Sequence, residues 1–127
     1  MENSKYNTFI EGYNKGIGEF LNKVSGSFFD RIRYDKEIII KNSDSELLTG
    51  KMNQIEELIQ KPDAGNYDKL KVTGVILMDI AADLISNQNP LVKKSAANIL
   101  NSFFDVAKQT EDEELLRTAV EIRKRVA

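Results

Sequence analysis

Histidine, cysteine and tryptophan are all absent from this 127-residue sequence. Without cysteine the chain has no disulfide, no thiolate nucleophile and no cysteine-built zinc site. Without histidine it lacks the side chain that most often performs general acid–base catalysis near neutral pH. The remaining polar residue types form no recognisable catalytic constellation. We therefore expect a protein that is not an enzyme and needs no cofactor.

Long hydrophobic runs and a strong net charge are also missing. The longest apolar stretch, residues 72–85, is interrupted by Thr73, Asp79 and Asp83 and is too short and too charged to span a bilayer. The N-terminal segment has no continuous apolar run, so we expect no signal peptide. A formal net charge of −2 creates no strong attraction to nucleic acid or anionic lipid. These features predict a cytoplasmic protein with no membrane partner, and they disfavour a nucleic-acid partner.

The sequence contains instead a series of amphipathic helical patterns. Its 41% hydrophobic and 30% charged residues are typical of a globular domain, and its length fits one domain. In successive segments the apolar residues recur at three- and four-residue steps, which is the spacing of one helical face. The sequence therefore predicts an all-α fold in which residues 1–127 form a single bundle of four to five mainly antiparallel helices.

The N-terminal third contains the least regular part of the pattern. The first helical face comprises Tyr6, Phe9, Ile10, Tyr13, Ile17, Phe20, Leu21 and Val24. A Ser-Gly-Ser run at residues 25–27 predicts a break in this helix, and residues 25–42 are expected to be irregular or kinked. Three consecutive isoleucines at 38–40 favour a strand, but no partner strand is evident, so we expect helix or extended linker there. The alternative is one long, kinked helix over about residues 4–42.

Two candidate capping boxes predict later helix starts. Ser43 with Glu46 and Thr110 with Glu113 have the spacing at which a hydroxyl and a carboxylate satisfy the first N–H groups of a helix. A third start is predicted at residues 89–90, where asparagine precedes a proline at the first helical position.

Two carboxylates are the most distinctive chemical feature of the central helix, predicted over residues 67–86. Asp79 and Asp83 lie four residues apart and so share one face of this most apolar element. If that face were buried, the pair would be suited to holding a cation or to acid–base work. Because buried carboxylates without partners are costly, we favour a solvated stripe. The pair remains a weak candidate for a metal or small-ligand site.

Two other sets of residues are candidate binding surfaces. The apolar residues flanking the irregular segment are interpreted first as core and alternatively as an interface; they are Phe28, Phe29, Ile38, Ile39 and Ile40. Basic residues that could contact phosphate form two clusters, namely Arg31, Arg33 and Lys36, and Arg117, Arg123, Lys124 and Arg125. The second cluster also complements the dipole of the last helix, which begins with acidic residues.

The function expected by exclusion is a small, non-catalytic protein–protein interaction or adaptor module that acts through helix surfaces. Its expected partner is another protein or a second copy of the chain. Nucleic-acid association through the basic clusters is the alternative, and a carboxylate-based metal or small-ligand site is a second alternative.

Overall fold

The computed structural model describes the backbone of residues 2–43, 45–62 and 64–126, and the side chains from residue 16 onward within these ranges. The regular elements are α1 (Glu2–Arg31), α2 (Arg33–Lys41), α3 (Glu46–Ile59), α4 (Asn66–Lys69), a π-helical segment (Leu70–Gly74), α5 (Val75–Leu84), α6 (Pro90–Thr110) and α7 (Glu113–Val126). No strand occurs in the described ranges, so the predicted all-α bundle is confirmed.

The first helix does not break where the sequence predicted. α1 continues through residues 25–27 because its serine and glycine there have specific partners. Buried Ser25 donates its hydroxyl to the carbonyl of Leu21 at 2.7 Å, which satisfies it within the helix. Gly26 faces α4 so closely that a Cβ would lie 2.8 Å from Nδ2 of Asn66. The glycine therefore permits close packing between helices and does not form a turn.

The interruption lies instead at a single residue. Ile32 separates α1 from α2 with backbone angles of φ −91° and ψ 1°, and its side chain is fully buried. Residues 33–41 then form α2, so the isoleucines at 38–40 are helical. The arrangement is close to the alternative of one long helix with a kink, with the kink five residues after the Ser-Gly-Ser run.

Two of the predicted helix starts are displaced by two residues. Ser45, and not Ser43, caps α3, since its hydroxyl accepts the N–H of Leu48 at 3.2 Å. Asp112, and not Thr110, caps α7, because Thr110 is the last residue of α6. In each case the residue next to the first helical glutamate provides the cap. The third prediction is confirmed. Asn89 is the N-cap of α6 and its side chain accepts the N–H of Leu91, while Pro90 occupies the first helical position.

The core is centred on Phe103 of α6. Its fully buried ring meets Phe28 of α1 edge-on, with the centroids 5.9 Å apart and the planes at 76°. Such an aromatic pair contributes about 0.5–1.5 kcal/mol beyond the burial of its area. Gly74 closes the π-helical segment against the same ring, and a Cβ there would lie 2.7 Å from Cε2 of Phe103. The ring thus joins α1, α6 and the π segment.

Part of the π segment is buried, and the hydroxyl group in that part has a hydrogen-bond partner. Leu70 and Thr73 have no exposed surface, and the Thr73 hydroxyl donates to the carbonyl of Lys69 at 2.6 Å. A π turn is wider than an α turn and is rare unless packing selects it. Here the wider turn lets the glycine that ends it approach the aromatic core.

A methyl group at position 74 tests this packing. We expect Gly74→Ala to lower the free energy of unfolding by about 1–3 kcal/mol, since the new Cβ would overpack against a ring that Phe28 holds in place. The matched control is Gly50→Ala in α3, where nothing lies within 4 Å of an added Cβ; it should raise stability by up to about 1 kcal/mol through helix propensity. Urea unfolding followed by circular dichroism measures both, and equal effects would contradict the close contact.

Candidate interaction surfaces

The apolar residues predicted as an interface lie mainly in the core. Phe28, Phe29 and Ile39 are buried, while Ile38 and Ile40 are half-buried. The interface interpretation is therefore wrong for the three buried residues, because α1 and α2 both pack their apolar faces against α6. The first interpretation of these three as core is the one the structure supports.

The carboxylates of the central helix do not converge with other ligands. Asp79 and Asp83 are both exposed, and Asp79 accepts a hydrogen bond from Nη1 of Arg125 at 3.1 Å. Within the described part of the chain, no three potential metal-ligating side chains cluster. The exposed pair with Arg125 is worth at most about 1 kcal/mol. The two aspartates thus lie on an exposed stripe of α5, in line with the interpretation that the sequence favoured.

The first basic cluster is neutralised within the fold. Arg31 lies 3.7 Å from a carboxylate oxygen of Asp105 on α6, and Arg33 donates to Asp30 at 3.1 Å. Lys36 is buried and pairs with Glu56. The three bases of this cluster therefore do not present an uncompensated surface to phosphate.

Lys36 forms the most buried ion pair among the described residues. Its side chain is 6% exposed, and Nζ donates to both carboxylate oxygens of Glu56 on α3, at 2.6 and 3.2 Å. The pair lies in a crevice lined by residues of α1, α2 and α3 and by Asn66 of α4. Because each charge satisfies the other, the pair fixes how α2 sits against α3, and it is not free for nucleic acid.

The C-terminal basic cluster is divided among different surfaces of α7. Arg125 pairs with α5, as described above, whereas Arg117 and Lys124 lie beside Glu113 and Glu121 on the outer side of the helix. Arg123 instead lies over the ring of Phe104 on α6, with its guanidinium carbon 4.7 Å from the centroid. Acidic neighbours and divergent directions keep the four bases from forming one continuous basic surface.

A polar cluster that the sequence did not predict connects α4 to the start of α7. Asp112 accepts the N–H groups of Glu114 and Leu115 through Oδ1, while its Oδ2 accepts the hydroxyl of Tyr67 and lies 3.6 Å from Nζ of Lys71. Nζ of Lys71 also lies 4.7 Å from the centroid of the Tyr67 ring. The partners are 45 residues apart in sequence, so no local pattern brings them together.

This cluster shifts the protonation of both hydrogen-bonded partners. Burial, followed by the hydrogen bond to Asp112, raises the pKa of Tyr67 to about 12. The hydrogen bond from Tyr67 is the main cause that lowers the pKa of Asp112 below its usual range, with burial acting in the opposite direction. The carboxylate is thus held ionised at the start of a helix, where negative charge is favourable.

Replacing Tyr67 by phenylalanine tests this coupling. A carboxyl group whose folded pKa is lowered contributes stability above its unfolded pKa of 3.8, and that contribution is lost as pH falls through the folded pKa. We expect Tyr67→Phe to raise the pKa of Asp112 toward its unfolded value, and so to reduce the stability that the protein loses on acidification. Carbon-13 NMR titration of the carboxyl groups measures the pKa. An unchanged Asp112 titration would contradict the hydrogen bond as its main cause.

The apolar face of α1 extends beyond the core. Burial along this face falls toward the N-terminus: Phe28 is buried, Val24 is partly buried against the core, and Phe20 and Ile17 are 50% and 40% exposed. Near the exposed pair, nothing lies within 4 Å of a Cβ built at Gly16. We call Ile17 and Phe20 the α1 surface.

The position of α4 explains where the covering of α1 ends. Oδ1 of Asn22 accepts the N–H of Tyr67 at 3.0 Å, so α4 begins beside Asn22. A Cβ at Gly65 would lie 2.9 Å from the same oxygen, which shows how tightly the connection approaches α1 here. Residues 16–20 lie one turn further toward the N-terminus, and the side chains of the α1 surface are left open to solvent.

The sequence pattern placed Ile17 and Phe20 on the apolar face of the helix, but it did not show that they are exposed. Ile17 and Phe20 follow the same three- and four-residue spacing as the buried residues after them. Periodicity identifies the face of a helix, but it does not show how far neighbouring elements reach along it. The interface candidates taken from the pattern therefore lay at residues 28–40, whereas Ile17 and Phe20 lie on the preceding turns of α1.

Comparison of the chain with known protein families, curated proteins and solved structures finds no match. None of the described helices is both long and apolar enough to cross a membrane.

Proposed function

We propose that this protein is a non-catalytic protein-binding module and that the α1 surface is its docking site. The observation that carries the proposal is the half-exposed ring of Phe20 beside Ile17, on a helical face that is buried one to two turns later. A helix of a globular domain normally places its apolar face toward the core. Here the same face continues past the core with its spacing intact.

The chemistry of the α1 surface favours an apolar helix as its partner. Two large apolar side chains at a three-residue step form the kind of anchor that an amphipathic helix presents or accepts. Full burial of an aromatic or branched side chain stabilises a complex by about 1.5–3 kcal/mol before the costs of association. The partner helix belongs to another protein or to a second copy of this chain, and the mass of a crosslinked product distinguishes the two. The lack of cysteine is compatible with action in the reducing cytoplasm.

Site-specific photo-crosslinking in the source cell tests the proposal. We expect a benzophenone amino acid in place of Phe20 to give a discrete crosslinked product, because the side chain there would be covered by a partner. A product of twice the chain mass identifies a second copy, and any other mass identifies a different protein. The matched control replaces Leu47 of α3, which is 72% exposed and apolar but lies outside the α1 surface.

The control determines how the result is read. Crosslinking at position 20 and not at position 47 supports the proposal, and abolition of the product by Ile17→Ser in the same chain would assign it to this surface. Equal crosslinking at both positions, or none at position 20, would contradict it. Neither replaced side chain is buried, so both proteins should unfold at the temperature of the unsubstituted protein.

A further inference from the structure

A separate groove lies between α5, α6 and α7, away from the α1 surface. Its volume is about 270 Å³. Its floor is formed by buried apolar side chains, and its walls by half-buried ones; these residues are Met78, Leu100 and Ala119, and Ile85, Ala97, Phe104 and Val126. The groove is therefore suited to an apolar group of modest size.

Two cationic side chains lie at Phe104, which lines one side of the groove. Arg123 lines the groove, and its guanidinium lies over Phe104, while Nζ of Lys108 lies 4.6 Å from the centroid of the same ring. Among the described residues, neither cation has a carboxylate oxygen within 4.0 Å. Two positive charges therefore meet at one aromatic side chain, and the nearby side chain of Asn101 adds hydrogen-bonding capacity.

The position of Arg123 suits it to an anion. Its guanidinium is planar, and its N–H groups can donate to two oxygens of one carboxylate. An apolar floor that ends at a guanidinium is complementary to a molecule with an apolar body and one anionic end. A neutral ligand would leave the two cations uncompensated, and a cationic ligand would be repelled by them.

We propose that this groove binds a monocarboxylate with an apolar chain of medium length, of the fatty-acid class. The chain lies on the floor formed by Met78, Leu100 and Ala119, and the carboxylate accepts hydrogen bonds from Arg123. Lys108 contributes positive potential at the same end. The limited volume restricts the chain to one short enough to fit between α5 and α7. This site is independent of the α1 surface.

Isothermal titration calorimetry with octanoate, octanol and octylammonium tests the proposal. We expect octanoate to bind with one-to-one stoichiometry and octanol at least about tenfold more weakly, because only the carboxylate gains a charge-assisted hydrogen bond. Octylammonium should bind more weakly still. Arg123→Gln should remove most of the preference for octanoate over octanol, since only the potential of Lys108 then remains, and should leave octanol binding unchanged. The matched control is Arg117→Gln, on the outer side of the same helix.

Several outcomes would overturn the proposal. They are equal affinity for octanoate and octanol, an Arg123→Gln protein that binds octanoate as before, an Arg117→Gln protein that loses octanoate binding, and no binding of octanoate at all. A groove-filling variant, Ala97→Leu, provides an independent test, since it should weaken octanoate and octanol alike. Circular dichroism confirms that each variant is folded before titration.

Discussion

The structure depends on the contact that the Phe103 ring makes with Gly74 and Phe28. Three elements that are distant in sequence meet at this ring, and each contributes a different group to the contact. α1 contributes an edge-on aromatic ring, α6 contributes the buried ring itself, and the π segment contributes the one residue without a Cβ. A packed core tolerates little change in volume, so this contact fixes how the three elements are arranged.

That arrangement also determines which parts of the surface remain open. α1 is packed on the core through Phe28, and α4 begins beside Asn22. The apolar face of α1 extends further toward the N-terminus than the elements that cover it, so Ile17 and Phe20 are exposed. Because α7 packs on both α5 and α6, an apolar groove forms between the three helices with Arg123 at one end. The two proposed binding sites are thus products of where the packing stops.

The fold class follows from the helical spacing of apolar residues, and the start of α6 follows from asparagine and proline at 89–90. The helical stretch over residues 66–84 also lies close to the predicted 67–86. The break predicted at residues 25–27 and the starts of α3 and α7 were misplaced for physical reasons. Gly26 has the intrinsic properties of a breaker, but its close approach to Asn66 makes it a helix-packing residue. The Lys36–Glu56 pair and the Tyr67–Asp112 hydrogen bond join positions 20 and 45 residues apart, which no local pattern encodes. The exposure of Phe20 depends likewise on where another helix begins.

The central claim is that the helix α1 belongs to the core from about Val24 onward, and that its apolar face is uncovered at Ile17 and Phe20 on the turns before that. Native-state hydrogen exchange on the dilute protein tests this most directly. Amides of residues 25–31 should exchange only on global unfolding, whereas those of residues 16–21 should exchange through local opening at a much lower free energy. Equal protection of both segments in a monomeric sample would contradict the account, because it would mean that the core covers the whole helix.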